Sequence, residues 1–282
     1  MSEADAQRDA ALDAWNAAAA GWGRQRDGFA RQGAPVTNWM LDAAELAPGQ
    51  RVLDLAGGPG ELGLAAAARV LPGGSVVCSD QSEKMVELAR AQGEALGLTN
   101  VEYRVIDAEW IDMELASVDT VLCRWGYMLM VDPGAAMRET RRVLRSEGRL
   151  VLAVWDDREA NPWSLIPSAV LVEHGLAQAP AAGTPGPFAL GDRALLQEML
   201  EEAGFTEVEI ETVDLVRDAS DFDSWWAVHL DLSASALAAF QAADERQTEA
   251  IETSLRERLE PYTAPDGSIS VPGRTFVACA RA

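Results

Sequence analysis

Short apolar runs alternate with longer amphipathic stretches between residues 50 and 155, and this alternation predicts the centre of the fold. Runs rich in Val and Leu indicate buried strands, whereas the stretches between them have helical spacing. Parallel strands joined by right-handed helical crossovers build a doubly wound α/β sheet. The predicted strands are 51–55, 75–79, 101–105, 120–123 and 150–154, and the predicted helices are 61–70, 82–96 (with Ser82 as N-cap) and 134–144.

Helical patterns precede this core, and mixed patterns follow it. Residues 4–46 predict two or more helices, with Trp15, Trp22, Phe29 and Trp39 as large apolar anchors. The Pro- and Gly-rich run 179–187 predicts a long loop or hinge. Later elements are predicted as helices over 161–174 and 192–203, a strand over 208–216, a mostly helical stretch over 222–259 and a last strand over 268–280. We expect one structural domain built from three segments: 1–48, which covers the cofactor site, 49–155, the cofactor-binding core, and 156–282, the cap and last strands.

The composition narrows the classes of function. The chain has 282 residues, 48% of them hydrophobic, and 45 acidic against 23 basic residues give a net charge of −22. Such a surface is poorly suited to a phosphate backbone, so we expect no nucleic-acid partner. No run approaches the roughly 20 apolar residues of a membrane span, and no secretory signal begins the chain. These features predict a cytoplasmic protein that does not bind membranes.

The run from Val52 to Gly63 has the pattern of a strand, a glycine-rich turn and a helix. Glycines in such a turn let backbone amides approach a ligand, and the helix N-terminus favours an anionic group. Gly58 to Gly63 matches the dinucleotide pattern G-x-G-x-x-G, and Asp80 follows at the distance that this pattern requires. Asp54 argues against a dinucleotide, because a carboxylate at a buried strand end is costly without a partner and is badly placed beside a pyrophosphate. It suits a cation.

Asp54 followed by Gly58-Pro59-Gly60 resembles the first motif of class I S-adenosylmethionine-dependent methyltransferases. Within that family the chain looks most similar to the group of the ubiquinone and menaquinone C-methyltransferases, through Trp15-Asn16, Trp22 and residues 138–144. The resemblance implies a Rossmann-like, mostly parallel seven-stranded sheet with an antiparallel last strand, N-terminal helices and a helical cap. It also implies S-adenosyl-L-methionine as the cofactor.

The same resemblance implies a role for each residue at the strand ends. Asp54 would hold the amino end of the cofactor's methionine part, along which the glycine loop lies. Asp80 would accept both ribose hydroxyls, with a helix N-cap as the alternative role, and Asp107 would contact the adenine edge. Trp22 would either close over the cofactor or belong to a helical core stripe. The full set of predicted cofactor contacts is Trp22, Asp54, Ala56, Gly57, Gly58, Gly60, Asp80, Gln81, Met85, Asp107, Ala108, Arg124 and Trp125.

Methyl transfer is an in-line displacement that depends mainly on positioning, although a hydroxyl acceptor also has to lose a proton. His174, His229 and Tyr127 are the predicted catalytic residues, with a local hydrogen bond as the alternative role for each histidine. No metal-ligand spacing is evident, so we expect no metal. Aromatic and apolar residues are predicted to cover the methyl end: Trp125, Tyr127, Met128, Trp163, Phe188, Trp225 and Trp226.

We therefore expect a methyltransferase, a monomer or homodimer, that modifies a carbon or oxygen of a small aromatic or hydrophobic acceptor. The acceptor is expected to be uncharged, because 19 acidic and only 7 basic residues fall in residues 191–282. Two alternatives stay open. One is a NAD-dependent oxidoreductase, based on G-x-G-x-x-G alone. The other is a protein that retains the cofactor without methylating, as a cyclase or a binding or sensor module.

Overall fold

The computed structural model describes residues 2–179, 181 and 183–282. Helices and strands alternate through the first half of the chain, as the apolar pattern predicts. The helices are α1 (Glu3–Ala43), α2 (Glu61–Arg69), α3 (Glu83–Ala95), α4 (Pro133–Val143), α5 (Pro162–Glu173), α6 (Arg193–Glu202), α7 (Phe222–Leu232), α8 (Ala234–Gln241) and α9 (Glu245–Leu259). The strands are β1 (Arg51–Asp54), β2 (Ser75–Asp80), β3 (Val101–Val105), β4 (Val118–Arg124), β5 (Leu144–Trp155), β6 (Thr206–Ala219) and β7 (Ile269–Arg281).

The strands form one seven-stranded sheet in the order β3-β2-β1-β4-β5-β7-β6. β1 to β5 are parallel, and β7 runs antiparallel between β5 and β6. Central strands are buried on both faces, as at Leu53, Val121 and Leu150, because helices cover the sheet on both sides. The predicted fold class is confirmed. The division of the chain at residues 48 and 155 stays a prediction.

A single helix occupies the segment where two or more helices were expected. α1 runs unbroken from Glu3 to Ala43, although Pro35 lies inside it, so the prediction for residues 4–46 is wrong. Pro35 removes one backbone hydrogen bond from the helix. Val36 and Met40, which follow it, are fully buried against the core. This packing holds the last turns in line, and tertiary contacts therefore outweigh the local helix-breaking signal.

The C-terminal elements build a second hydrophobic cluster beside the sheet. It joins α5, α7, α8, α9 and the start of β7, and Trp225 and Trp226 are buried in it. The predicted loop over 179–187 includes Pro180 and Ala182, which lie outside the described residues. Gly186 in this stretch donates a backbone hydrogen bond to the Met128 carbonyl at 2.9 Å. No helix in the described part of the chain is long and apolar enough to cross a membrane.

Candidate functional site

The carboxyl ends of β1 to β4 open into a cavity that α1 covers, at the edge where open α/β sheets bind ligands. The cavity has about 1070 Å³ of empty space, part of it open to solvent, which is ample for a small molecule. All but one of the residues predicted to contact a cofactor line it. These are Trp22, Asp54, Ala56, Gly57, Gly58, Asp80, Gln81, Met85, Asp107, Ala108, Arg124 and Trp125.

The turn after β1 requires left-handed backbone conformations. Ala56, Gly58 and Gly60 have φ angles of 52°, 55° and 82°. Glycine adopts such angles readily, whereas Ala56 is strained there, as residues at functional sites often are. Gly60 is the predicted contact that does not line the cavity. It precedes α2, and a Cβ atom there would lie 2.7 Å from the Cβ of Ala89, so this glycine lets α2 approach α3.

Asp54 ends β1 and is fully buried. Its Oδ2 accepts a hydrogen bond from the Gly63 backbone N–H at 2.9 Å, whereas Oδ1 has no partner among the described residues. Burial raises the pKa of Asp54 to about 7 and outweighs the opposing effect of the Gly63 N–H. A cationic ligand group at Oδ1 would favour the ionised carboxylate. The Trp22 indole N–H lines the same cavity and is likewise buried without a partner in the described structure, so the site offers both an acceptor and a donor.

Asp80 ends β2, and the backbone holds it at the cavity wall. Its two oxygens accept hydrogen bonds from the N–H groups of Gly58 and Ser82, each at 2.9 Å. Burial raises the pKa of Asp80 to about 6. A carboxylate has about four acceptor positions, so about two remain for ligand hydroxyls. Ser82 caps α3 through Met85 N–H at 3.3 Å, which removes the N-cap alternative for Asp80.

Arg8 and Glu109 close one side of the cavity, and the sequence patterns did not indicate either of them. Arg8 Nη2 donates to Glu109 Oε2 at 2.6 Å, which ties the start of α1 to the segment after β3. Glu109 Oε1 also accepts from the backbone N–H groups of Val131 and Asp132, at 2.8 and 3.1 Å. One buried carboxylate therefore joins three segments around the cavity.

A more apolar part of the cavity wall contains Phe29, Trp125, Leu129 and Met130. Arg124 also lies here and forms an ion pair with Glu61 at 2.8 Å. Trp125 follows β4 with a φ of 60°, a rare angle for a bulky side chain. Its indole N–H donates to Thr275 Oγ1 at 3.0 Å. These contacts fix the ring in place at the end of the cavity.

An unbroken row of aromatic rings passes this end of the cavity. Successive ring centroids lie 4.5 to 6.1 Å apart. The row contains Trp15, Trp22, Phe29, Trp125, Trp155 and Trp163 in that order. The first three share one face of α1, because residues seven apart lie nearly in line on a helix. Trp22 is therefore part of a helical stripe and of the cavity wall at once.

The three predicted catalytic side chains lie away from the cavity. Tyr127 is fully buried with its hydroxyl 2.6 Å from Thr140 Oγ1, and burial raises its pKa well above the usual range. His174 Nε2 lies 3.1 Å from Ser254 Oγ, which joins α5 to α9. His229 stacks on Trp226, and burial lowers its pKa to about 4. None of the three side chains lines the described cavity, so the structure gives no support to their catalytic roles, which stay predictions.

Most of the predicted covering residues are core residues as well. Tyr127 and Met128 belong to the main hydrophobic core, and Trp225 and Trp226 belong to the second cluster. Trp125 is the member of that predicted set that lines the cavity. Among the described residues, no group of three or more His, Cys, Asp or Glu side chains is placed to hold a metal ion.

A comparison with known proteins shows which family the chain belongs to. A family model described as a methyltransferase domain matches residues 46–204, which is more than half of the chain. The chain belongs to this methyltransferase domain family. The matched range contains β1 to β5 and the residues at their carboxyl ends. The predicted resemblance to class I methyltransferases is thereby confirmed.

Individual relatives match over part of their length. The chain is 42% identical over 120 residues to a 37.1 kDa protein of transposon Tn4556 from Streptomyces fradiae, a match that covers 42% of this chain and 34% of that protein. It is 32% identical over 183 residues to nocamycin O-methyltransferase from Saccharothrix syringae, covering 62% of this chain and 65% of that enzyme. It is 29% identical over 180 residues to the ubiquinone/menaquinone C-methyltransferase UbiE of Cronobacter sakazakii, covering 60% and 72%. The chain thus spans less than two thirds of the first two relatives.

The fold is also shared with solved structures. The YcgJ protein from Bacillus subtilis superposes with a TM-score of 0.59 at 19% identity, over 87% of this chain and 97% of that chain. At this level of identity the likeness concerns the fold. Because it covers 87% of this chain, the likeness extends past β5.

The buried Asp54 carboxyl should make the unligated protein less stable at high pH. Its pKa is raised in the folded state, so the destabilisation is absent below about pH 4, grows through the interval up to about pH 7 and is complete above it. We expect Asp54→Asn to be more stable than the wild type at pH 8, on the order of 2–4 kcal/mol, and equally stable near pH 4. Urea unfolding at both pH values measures this. The exposed Asp112→Asn is the control, and an equal pH dependence in both variants would contradict the account.

Tyr127 should matter for stability. Tyr127→Phe removes the buried hydrogen bond to Thr140 and should lower the free energy of unfolding by about 1–2 kcal/mol. Tyr262→Phe is a matched control, since Tyr262 is only partly buried and should lose less than about 0.5 kcal/mol. Urea denaturation compares the two variants. Equal losses would show that the Tyr127 hydroxyl does not have the structural role assigned to it.

Proposed function

We propose that the chain is an S-adenosylmethionine-dependent methyltransferase that acts on a carbon or oxygen of a small molecule. The observation that carries the proposal is the unpaired, buried Asp54 Oδ1 in the cavity that Asp80 also lines. Membership of a methyltransferase domain family supports it. The names of the relatives, an O-methyltransferase and C-methyltransferases, support oxygen or carbon as the methylated atom.

The residues present suit this cofactor. S-adenosylmethionine supplies an electrophilic methyl group on a sulfonium, and this chain supplies the groups that would orient it. Asp54 Oδ1 would pair with the ammonium group, and the two free acceptor positions of Asp80 would take the ribose hydroxyls. Met85 and Ala108 are buried cavity-lining side chains that would pack against the adenine. Asp107 lines the same part of the cavity, where it would meet the adenine edge.

The acceptor would occupy the end of the cavity lined by Phe29, Trp125, Leu129 and Met130. Their apolar surfaces would exclude water and align an acceptor atom with the methyl group, the main requirement of an in-line displacement. The Glu61 carboxylate is paired with Arg124, and no histidine lines the described cavity, so neither residue type offers a free base there. The chain therefore promotes transfer mainly by positioning.

The alternatives fit the site less well. A dinucleotide would place its pyrophosphate near Asp54, a buried carboxylate with an unpaired oxygen. A protein that binds the cofactor without methylating would need the same contacts, so turnover distinguishes it. A cytoplasmic location, the absence of nucleic-acid and membrane partners, and a monomeric or homodimeric state stay predictions from the sequence.

Removal of the Asp80 carboxylate should abolish tight cofactor binding. We expect Asp80→Ala to weaken the binding of S-adenosylhomocysteine at least about 100-fold, since two charge-assisted hydrogen bonds are lost. Isothermal titration calorimetry measures the affinity. Asp9→Ala removes an exposed acid near the cavity mouth and should bind like the wild type.

Wild-type affinity in Asp80→Ala would overturn the site assignment. The same proteins can be compared in thermal-shift assays with S-adenosylhomocysteine and with NADH. Stabilisation by NADH alone would instead favour the oxidoreductase alternative.

A further inference from the structure

Arg217 is a buried cation with no anionic partner. It lies near the carboxyl end of β6, at the same edge of the sheet as Asp54 and Arg124, and is 8% exposed. Among the described residues, Arg217 is the one arginine that is buried as a whole residue. No carboxylate of the described residues lies within ion-pair distance of its guanidinium. Its Nη1 donates one long hydrogen bond, 3.3 Å, to Gln32 Oε1, and its Nε–H has no acceptor in the described structure.

Three aromatic rings surround this guanidinium. Its central carbon lies 5.1 Å from the Phe29 centroid, 5.3 Å from that of Trp155 and 4.8 Å from that of Trp163. Such cation–π contacts offset part of the cost of burial. They leave the Nε–H without an acceptor, however, and a buried charge without a hydrogen-bonded counterion is destabilising. The residue is therefore poorly explained by stability alone.

The charges around Arg217 do not neutralise it. Burial, with a smaller contribution from repulsion by Arg124, lowers the pKa of Arg217 to about 10, which leaves it protonated at neutral pH. His229 is also near, and burial and Arg217 lower the pKa of this histidine to about 4, so it is neutral there. Arg124 is itself paired with Glu61. Of these three groups, Arg217 is therefore the cation without a carboxylate partner in the described structure.

Phe29 connects this charge to the cavity. Its ring lines the acceptor end, and the Arg124 and Arg217 guanidinium carbons lie 5.4 and 5.1 Å from its centroid. The Phe29 ring therefore lies between Arg217 and the space proposed for the acceptor. Arg217 itself does not line the described cavity, so contact with an acceptor there requires the Phe29 ring to move.

We infer that the acceptor carries an oxyanion, a carboxylate or an ionised phenol or enol, which Arg217 binds beside Phe29. This inference rests on the proposed function, and it replaces the expectation of an uncharged acceptor. The charge balance of the whole chain does not decide this, because Arg217 acts at short range in surroundings of low dielectric constant. An arginine fork also matches an oxyanion in geometry.

Matched probe pairs test the inference on the full chain saturated with S-adenosylhomocysteine. The probes are naphthalene carboxylate against its amide, and ionised para-nitrophenol against nitrobenzene. We expect the anion of at least one pair to bind about 10- to 100-fold more tightly than its neutral partner, measured by calorimetry at low ionic strength. The first pair reports a carboxylate acceptor and the second an ionised phenol.

Variants assign the preference to Arg217. Arg217→Gln should remove it. Arg158→Gln should keep it, since Arg158 contacts Phe188, whose ring does not line the cavity, whereas Arg217 contacts Phe29, whose ring does. Affinity for S-adenosylhomocysteine should stay at the wild-type level in both variants. No anion preference in the wild type, or a preference that survives Arg217→Gln, would overturn the inference. If the wild type does not bind S-adenosylhomocysteine, this result would instead overturn the proposed function.

Melting temperature gives an independent readout. Arg217→Met replaces an unpaired buried charge with an apolar side chain of similar length, so the unligated variant should melt at or above the wild-type temperature. A fall of more than about 5 °C would show that the arginine is structural and would contradict the inference.

Discussion

The buried Asp54 side chain at the end of a central strand determines which residues can pack around it, and the cavity depends on this packing. Glycine is required at Gly63, because a Cβ atom there would lie 2.6 Å from Asp54 Oδ2 and 2.6 Å from Cys78 Sγ. Ser79 Oγ donates to the Asp54 carbonyl at 2.9 Å and ties β2 to the same point. The last glycine of the G-x-G-x-x-G pattern is thus explained by the carboxyl group behind the loop.

The second organising feature is the long first helix. α1 carries Trp22 and Phe29 to the cavity and Arg8 to Glu109, so one element forms the roof from the mouth to the acceptor end. It also reaches β6 through Gln32, whose side-chain oxygen accepts from Arg217. Contacts of this one helix therefore extend from the cofactor end of the cavity to the acceptor end.

Local patterns made the strands and the cofactor residues predictable. A buried strand, a glycine turn and an acid at the next strand end are short-range signals, and they led to Asp54, Gly58 and Asp80. Long-range contacts were not predictable in this way. Arg8 and Glu109 lie 101 residues apart, and no pattern near either one indicates the pair. Arg217 stands in a strand of ordinary composition, and its isolation from carboxylates depends on which elements pack around it.

The same limit explains where the structure departs from the local patterns. Tyr127 directly follows the cavity-lining segment after β4, but its side chain points to Thr140 and away from the cavity. Sequence position alone does not give that direction. Residues 4–46 were predicted as two or more helices, whereas the burial of Val36 and Met40 keeps α1 continuous. In both cases packing in three dimensions decided the outcome.

A crystal structure with S-adenosylhomocysteine bound would test the central claim most directly. The account predicts density in this cavity, with the amino group on Asp54 Oδ1, the ribose hydroxyls on Asp80 and the sulfur directed towards Phe29 and Trp125. Binding elsewhere, or in this cavity with Asp54 Oδ1 still unpaired, would contradict it.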